Sequence, residues 1–362
     1  MRLIVKFYFG IEHEVSFINA QGAYADWTNT NFADLEGIVA KLPLYPTDYP
    51  QLRIGDAGIK HKRWYVEGFE RFDMNGKVID CLPKGIEIRT TIHDSIKGAV
   101  AELTESFRML RNASRAAGFT PAAISFNPYR TRFVPEPPLN IYEKRQRSRS
   151  PEVQTADIPM LTQGPDISLS TPQLTTAQII DAGQKFTYYS PYLVPFSFSS
   201  PFYGGRLWEG LSVRTFHRTG VRPAAMVFID DPDRMIDSSP SLTQKARIPA
   251  EIGRIEFKAF DICSNLQHYA RLATLLKGLI LDRHLTGRAV VPDAQMHQRS
   301  AQFGFDDSHI FNTADRILAA VPEVLSQPEQ KQCLEVLKQE LVTRRTPAHA
   351  MIEAFEKSNT SE

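Results

Sequence analysis

The chain has 362 residues, 42% of them hydrophobic and 23% charged, with a formal net charge of +1. This balance suits a globular chain with a substantial core and excludes any electrostatic reason to expect a nucleic-acid partner or an anionic membrane surface. The three cysteines (Cys81, Cys263, Cys333) lie far apart with no CxxC spacing, so neither a disulfide framework nor a zinc site is expected.

The opening stretch Met1-Arg2-Leu3-Ile4-Val5-Lys6-Phe7 is strand-like and lacks a signal-peptide h-region with a small-residue cleavage site. No apolar run is long enough to span a bilayer, so a cytoplasmic protein is expected. Phe9–Phe17 is rich in β-branched and aromatic residues and reads as a strand. Side chains at i and i+2 share a strand face, which places Glu12 with Glu14 and leaves Ile11, His13 and Val15 opposite. Like charges side by side repel unless they are solvated or share a cation.

Residues 18–50 read as a connection with helical content over Phe32–Lys41 and a proline-rich turn over Leu42–Pro50. Lys62–Phe72 reads as extended, a turn falls at Asn75-Gly76, and Lys77–Asp80 resumes the strand. A further strand is expected after Pro83, over Lys84–Ile92, with Glu87 and Arg89 on one face and Ile86 and Ile88 on the other. Residues 94–117 form a helix capped by Asp94 or Ser95 and ended by Gly118. Ala122–Phe126 reads as a short strand. Residues 127–159 read as irregular, with the basic run Lys144–Ser150 as either an anion contact or a solvated surface loop, the loop favoured by the overall charge balance.

Asp166–Ser170 alternates as a strand, and a helix follows from Thr175-Thr176 through Tyr189, broken by Pro191 and Pro195. A loop of small and aromatic residues spans Ser197–Arg206. Arg254–Asp261 is the last strand, with Arg254, Glu256 and Lys258 on one face. From Leu266 onward the pattern is helical, over 266–285 and near 312–325, 329–343 and 347–357. The expected fold is therefore α+β, with a largely antiparallel sheet rather than a doubly wound parallel one. It is expected as one domain over 1–362, strand-rich to about 262 and helical over about 263–358.

Several strands thus carry acids on faces shared with basic or small polar groups: Glu12 with Glu14, Asp80, Glu87 with Arg89, Asp166 with Ser168, and Glu256 with Lys258. Stacked together they would form an acidic cluster flanked by cations. Divalent cations and a polyphosphate need this: Mg²⁺ takes hard carboxylate oxygens, and Arg and Lys take phosphate charge. GxxxxGK[ST], GxGxxG after a strand, HExxH and GxSxG are all absent, which excludes several nucleotide-binding and hydrolytic classes. His13, Asp166 and Ser199 carry no local signature of a catalytic triad.

Gly10-Ile11-Glu12-His13-Glu14 resembles the Gly-Ile-Glu-x-Glu signature of the second glutamate–cysteine ligase family, carboxylate–amine ligases of glutamine-synthetase-like fold. Gly85–Thr90 is similar to that family's Glu-x-Arg-Thr strand, with Asp80 at its upstream acidic position. Ser197–Gly205 followed by Arg214 resembles its Ser-x-Ser-Ser-Pro loop and downstream Arg, and Arg247 with Gly253–Asp261 resembles its late strand. Asp166 and Ser168 stand where the family has histidines, and Ser125–Tyr129 also lacks one.

The resemblance implies a sheet of the glutamine synthetase/guanido kinase catalytic type and ATP-dependent joining of a carboxylate, typically the γ-carboxyl of glutamate, to an amine through an acyl phosphate. It implies ATP and Mg²⁺ as cofactors and small-molecule amino-acid substrates as partners, and open sheet edges allow a homodimer. Glu12, Glu14, Asp80, Glu87 and Glu256 would hold metal, with Asp166 as a further oxygen ligand. Arg214, Arg247 and Lys258 would contact phosphate or substrate carboxylate, and Arg89, Arg206 and Arg254 would serve the nucleotide. The missing histidines motivate a rival reading, a non-catalytic relative that binds nucleotide or amino acid as a sensor or assembly partner.

Overall fold

The strand carrying Glu12 and Glu14 runs from Tyr8 to Ile18 (β1) in the computed structural model of the chain, which describes residues 5–48 and 63–359. The strand-like start at Met1–Ile4 and the segment ends at Tyr49, Pro50 and Lys62 lie outside the described residues. β1 is followed by α1 (Phe32–Val39), β2 (Trp64–Phe72), β3 (Val78–Arg89), α2 (Ile96–Ala116) and β4 (Thr120–Ala122). Three short helices, α3 (Ile141–Arg147), α4 (Pro151–Gln154) and α5 (Asp157–Leu161), precede β5 (Pro165–Ser170) and α6 (Thr176–Leu193). Then come the hairpin β6 (Phe202–Tyr203) and β7 (Arg206–Leu207), α7 (Val213–Arg218), β8 (Ala225–Ile229), β9 (Thr243–Lys245) and β10 (Ile255–Phe257). Helices α8 (His268–Leu281), α9 (Ala294–Phe303), α10 (Ser308–Val324), α11 (Pro328–Val342) and α12 (Pro347–Asn359) complete the described chain.

The main sheet has the order β2-β3-β1-β5-β10-β8-β9, with β4 pairing the far end of β1. Its pairs are antiparallel except β8 with β9. The expected α+β class with a largely antiparallel sheet is the observed one. One face is apolar: Ile11, Val15, Ile86, Ile88, Ile167, Leu169, Ile255 and Phe257 are almost fully buried, and α2 and α6 pack on the sheet. Each such side chain contributes about 1.5–3 kcal/mol by leaving water. The same core continues into Leu275, Leu276, Ile317, Leu334 and Leu337 of the later helices, so strands and helices share it. Among the described residues, no helix is long and apolar enough to cross a membrane.

Four local expectations are corrected. Pro83 does not divide two strands: β3 runs through it, because the pairing jumps from Glu67–Gly85 to Gly68–Pro83 and leaves Lys84 as the extra residue of a bulge. Pro191 does not stop α6, since the Ser190 hydroxyl donates to the Thr187 carbonyl (2.8 Å) that a normal residue at 191 would have bonded. The basic run Lys144–Ser150 is largely helical: Asn140 and Glu143 form a reciprocal cap, and Lys144, Arg145 and Arg147 sit in the last turn of α3, where the helix dipole favours cations. The last strand is Ile255–Phe257 rather than Arg254–Asp261, and β8, β9, α7 and α9 were not anticipated.

Candidate active site

Strand parity and register decide which side chains meet. Glu12 pairs with Arg89 on one side and Asp166 on the other, and Glu14 pairs with Glu87. Glu87 pairs with Tyr65, and Ser168 with both Gly10 and Glu256. The face opposite the apolar core therefore carries Glu12, Glu14, Tyr65, Glu67, Glu87, Arg89, Asp166, Ser168, Arg254, Glu256 and Lys258. His13 points the other way, into the core, where its Nδ1 meets the Tyr269 hydroxyl at 2.9 Å and burial lowers its pKa to about 4.

At one end of this face, Glu14, Glu67 and Glu87 each bring a carboxylate oxygen within 4.8 Å of the others. The Lys84 ammonium donates to Glu14 Oε1 (2.8 Å) and the Thr162 carbonyl (3.0 Å), and lies 3.1 Å from Glu67 Oε2. The Gly164 amide donates to Glu14 Oε2 at 2.7 Å. Burial opposes the charged form of Glu14, but Lys84 outweighs it and holds the carboxyl below the ordinary range. Glu67 goes the other way: burial and the Glu14 charge push it up to about 8. Burial, with Glu12 and Glu67 beside it, raises Glu87 well above the ordinary range, although Arg89 lies 3.5 Å away. Glu87 is 5% exposed, and its Oε1 makes no hydrogen bond. Hard oxygens crowded at this spacing, with Glu67 Oε2 and Glu87 Oε1 lacking a hydrogen bond among the described residues, fit a divalent cation such as Mg²⁺.

In the middle of the face, Lys258 donates to Asp166 and to Glu256 Oε1 (2.5 Å), and Arg254 lies 3.1 Å from Glu256 Oε2. Burial of Glu256 is outweighed by Arg254 and Lys258, which bring its carboxyl down to about 2. Burial pushes Asp166 up to about 6 despite Lys258. Arg254 lies over the Phe228 ring (4.0 Å) and Arg89 over Tyr65 (4.3 Å), so both guanidiniums are held by stacking as well as charge. Beside them opens a cavity of about 460 Å³ whose wall includes Glu12, Arg89, Arg222, Lys245, Arg247, Arg254, Glu256 and Lys258, with Met226, Phe228 and Ile248 as its apolar part.

The structure thus brings together Glu12, Glu14, Glu87, Asp166, Glu256, Arg89, Arg254 and Lys258, and places exposed Arg247 on the cavity wall. Arg214 is buried behind Gly164, where a Cβ would fall 2.0 Å from its Nη2, and its guanidinium donates to the Ala259 (3.0 Å) and Lys258 (3.1 Å) carbonyls. It holds the strand end that carries Lys258 and does not line the cavity.

Two expected residues are elsewhere. Asp80 is exposed and accepts from the Cys81 amide (2.8 Å); seven residues before Glu87 on the same strand put it about 20 Å away along β3. Arg206 is exposed on the β6–β7 hairpin and is not part of the cavity wall. At the position lacking the family histidine, Asn127 ties a turn, accepting from the Tyr129 and Arg130 amides and donating to Asp26.

Glu67, Lys84, Arg218 and Arg222 were missed. Glu67 and Tyr65 alternate against Trp64 and Val66, which was a usable signal for Glu67. Arg214, Arg218 and Arg222 recur every four residues, which was a usable signal for the arginines. Arg218 is buried beside the other two, and burial with those like charges lowers its pKa well below the usual value.

No protein-family model matches the sequence, and no curated protein matches it. Among solved structures the chain is similar to a glutamate–cysteine ligase from Francisella tularensis in complex with AMP: 13% identity, TM-score 0.56, over 97% of this chain and 85% of that one. It is also similar to a bifunctional glutathione synthetase from Pasteurella multocida: 12% identity, TM-score 0.59, over 98% of this chain and 50% of that one. The chain accordingly shares the fold of these two ligase structures.

Proposed function

We propose that the chain is a single-domain, ATP- and Mg²⁺-dependent ligase that joins a carboxylate, the γ-carboxyl of a glutamate-like donor, to an amine. The observation that supports this most is the single sheet face on which carboxylates from β1, β2, β3, β5 and β10 interleave with Arg89, Arg254 and Lys258 beside a cavity of about 460 Å³. In this reading a donor carboxylate oxygen attacks the γ-phosphorus of ATP, ADP leaves, the amine attacks the acyl carbon, and phosphate leaves. Glu14, Glu67 and Glu87 would hold Mg²⁺, with Glu12 and Glu256 facing the cavity; the bound ion would supply charge neutralisation of the phosphates. Asp166 and Glu256 orient Lys258, and Glu256 orients Arg254, against the developing phosphoryl charge. Arg89, Arg222 and Arg247 add cations at the cavity wall, and Met226, Phe228 and Ile248 offer an apolar seat for a nucleobase. Arg214 acts as a positioning residue through the Lys258 carbonyl.

The test is purified protein with ATP, Mg²⁺ and pairs of acidic donors and amines, followed by ADP release and by trapping of the acyl phosphate with hydroxylamine. Donor-dependent ADP and hydroxamate are expected, lost in Glu256→Gln. Calorimetric binding of Mg²⁺–ATP without turnover for any pair would replace this reading with the non-catalytic one.

A further inference from the structure

The bulge in β3 has a specific result. By strict alternation Lys84 would share the core face with Ile86 and Ile88. The jump in pairing from Gly85 to Pro83 turns it onto the carboxylate face instead. Glycines make the irregularity possible: a Cβ at Gly68 would fall 2.2 Å from the Leu82 carbonyl oxygen, and one at Gly85 would fall 2.3 Å from that of Val15. Pro83, with no N–H to leave unpaired, sits at the break. Lys84 is only 4% exposed and has three oxygens around its ammonium, one from each of Glu14, Glu67 and Thr162. Two of its N–H donors go to Glu14 and Thr162, and Glu67 Oε2 closes the third side as an ion pair at 3.1 Å, so the ammonium is enclosed by the chain's own oxygens.

Resting on the reading that this face binds divalent ions, we propose that Lys84 is a tethered cation. Its ammonium permanently fills the position between Glu14 and Glu67, so the cluster of Glu14, Glu67 and Glu87 takes one divalent ion and not two. Among the described residues Glu67 Oε2 and Glu87 Oε1 both lack a hydrogen bond; Lys84 lies against the first, so the second marks the side on which that ion is bound. Unlike Mg²⁺, the ammonium carries one charge, keeps its oxygens near 3 Å and has no Lewis acidity. Its role is to hold Glu14 and Glu67 in place whether or not the metal is present.

The experiment counts Mn²⁺ bound per full-length chain, following free Mn²⁺ by electron paramagnetic resonance, in wild type and Lys84→Met. One additional ion per chain is expected in the variant. Equal stoichiometry, including none in either protein, overturns the proposal, because the vacated position then takes no ion. If Lys84→Met does not fold, a Mn²⁺-soaked crystal of the wild type decides by anomalous scattering. Lys84 between Glu14 and Glu67 supports the proposal, and an ion there with Lys84 displaced refutes it. Absence of ligase turnover alongside the gained ion would count against the proposed function alone.

Discussion

Glu67 offers a test that depends on a sign rather than on loss of activity. In the unfolded chain its carboxyl titrates near 4.5, whereas burial and the neighbouring Glu14 charge raise it to about 8 in the metal-free fold. Between those values the native state holds a proton that the unfolded chain has released, so stability falls as pH rises. The contribution is intact below pH 4.5 and lost as pH passes 8. At about 1.36 kcal/mol per pH unit the full effect is about 5 kcal/mol. The side chain is 25% exposed, and solvent screening reduces the effect by roughly half, leaving about 2 kcal/mol. Glu67→Gln mimics the protonated form, and Lys84 keeps Glu14 and the Thr162 carbonyl as partners.

Urea denaturation with a chelator present, repeated from about pH 5 to 9, should find the two proteins alike at the acid end and the variant about 2 kcal/mol more stable at the alkaline end. Saturating Mn²⁺ should reverse that order, because the wild type regains through ion binding what it loses through repulsion. A stability difference independent of pH would refute the reasoning.

Three further outcomes follow from the same geometry. Lys258→Met leaves the partly buried Asp166 and Glu256 without their shared ammonium and should cost about 3–5 kcal/mol by denaturation; adding Glu256→Gln should recover part of it in a double-mutant cycle. Gly85→Ala drives a Cβ to 2.3 Å from the Val15 carbonyl oxygen, so it should lose about 2–4 kcal/mol in urea and weaken Mn²⁺ binding together, since the collision lies on the same two strands next to the Glu14–Glu87 pair. Glu143→Ala strips Arg71 of its buried two-oxygen partner (2.7 and 3.2 Å) and removes the Glu143 half of the α3 cap; a loss of about 3–5 kcal/mol is expected, with proteolytic nicking beginning around the basic run Lys144–Arg147.

What could be read ahead was whatever follows from a period of two. Glu12 and Glu14 sharing a face against Ile11, His13 and Val15 is a property of β1 alone, and so is the pairing of Glu87 with Arg89 or Glu256 with Lys258. The common face needed register as well, which was available only through the ordered resemblance, because no single strand specifies its neighbour. The resemblance also misled. It put Asp80 among the metal ligands by its place upstream of Glu87, although order along the chain says nothing of distance along a strand. Lys84 escaped parity altogether, since a bulge reverses it and Pro83 looked like a strand break. The cap of α3 was legible in Asn140 and Glu143 but was obscured by the run of positive charge after it.

The face that results is organised by cations belonging to the chain. A carboxylate cluster built only to await a metal would repel itself in the metal-free fold, and its side chains would spread into solvent. Here Lys84 fixes Glu14 and Glu67, Lys258 fixes Asp166 and Glu256, and Arg254 takes the second oxygen of Glu256. Glu87 is the exception: like Glu67 Oε2 its buried Oε1 has no hydrogen bond among the described residues, but unlike Glu67 it has no lysine ammonium against it. The positioning of most of this face is therefore independent of any ion, and the unspent electrostatic demand is concentrated at one carboxylate. An ion arriving there has little to reorganise. Its binding should displace protons held by Glu67 and Glu87, so proton release on Mn²⁺ addition at neutral pH should follow from the same arrangement that places Lys84 in the cluster.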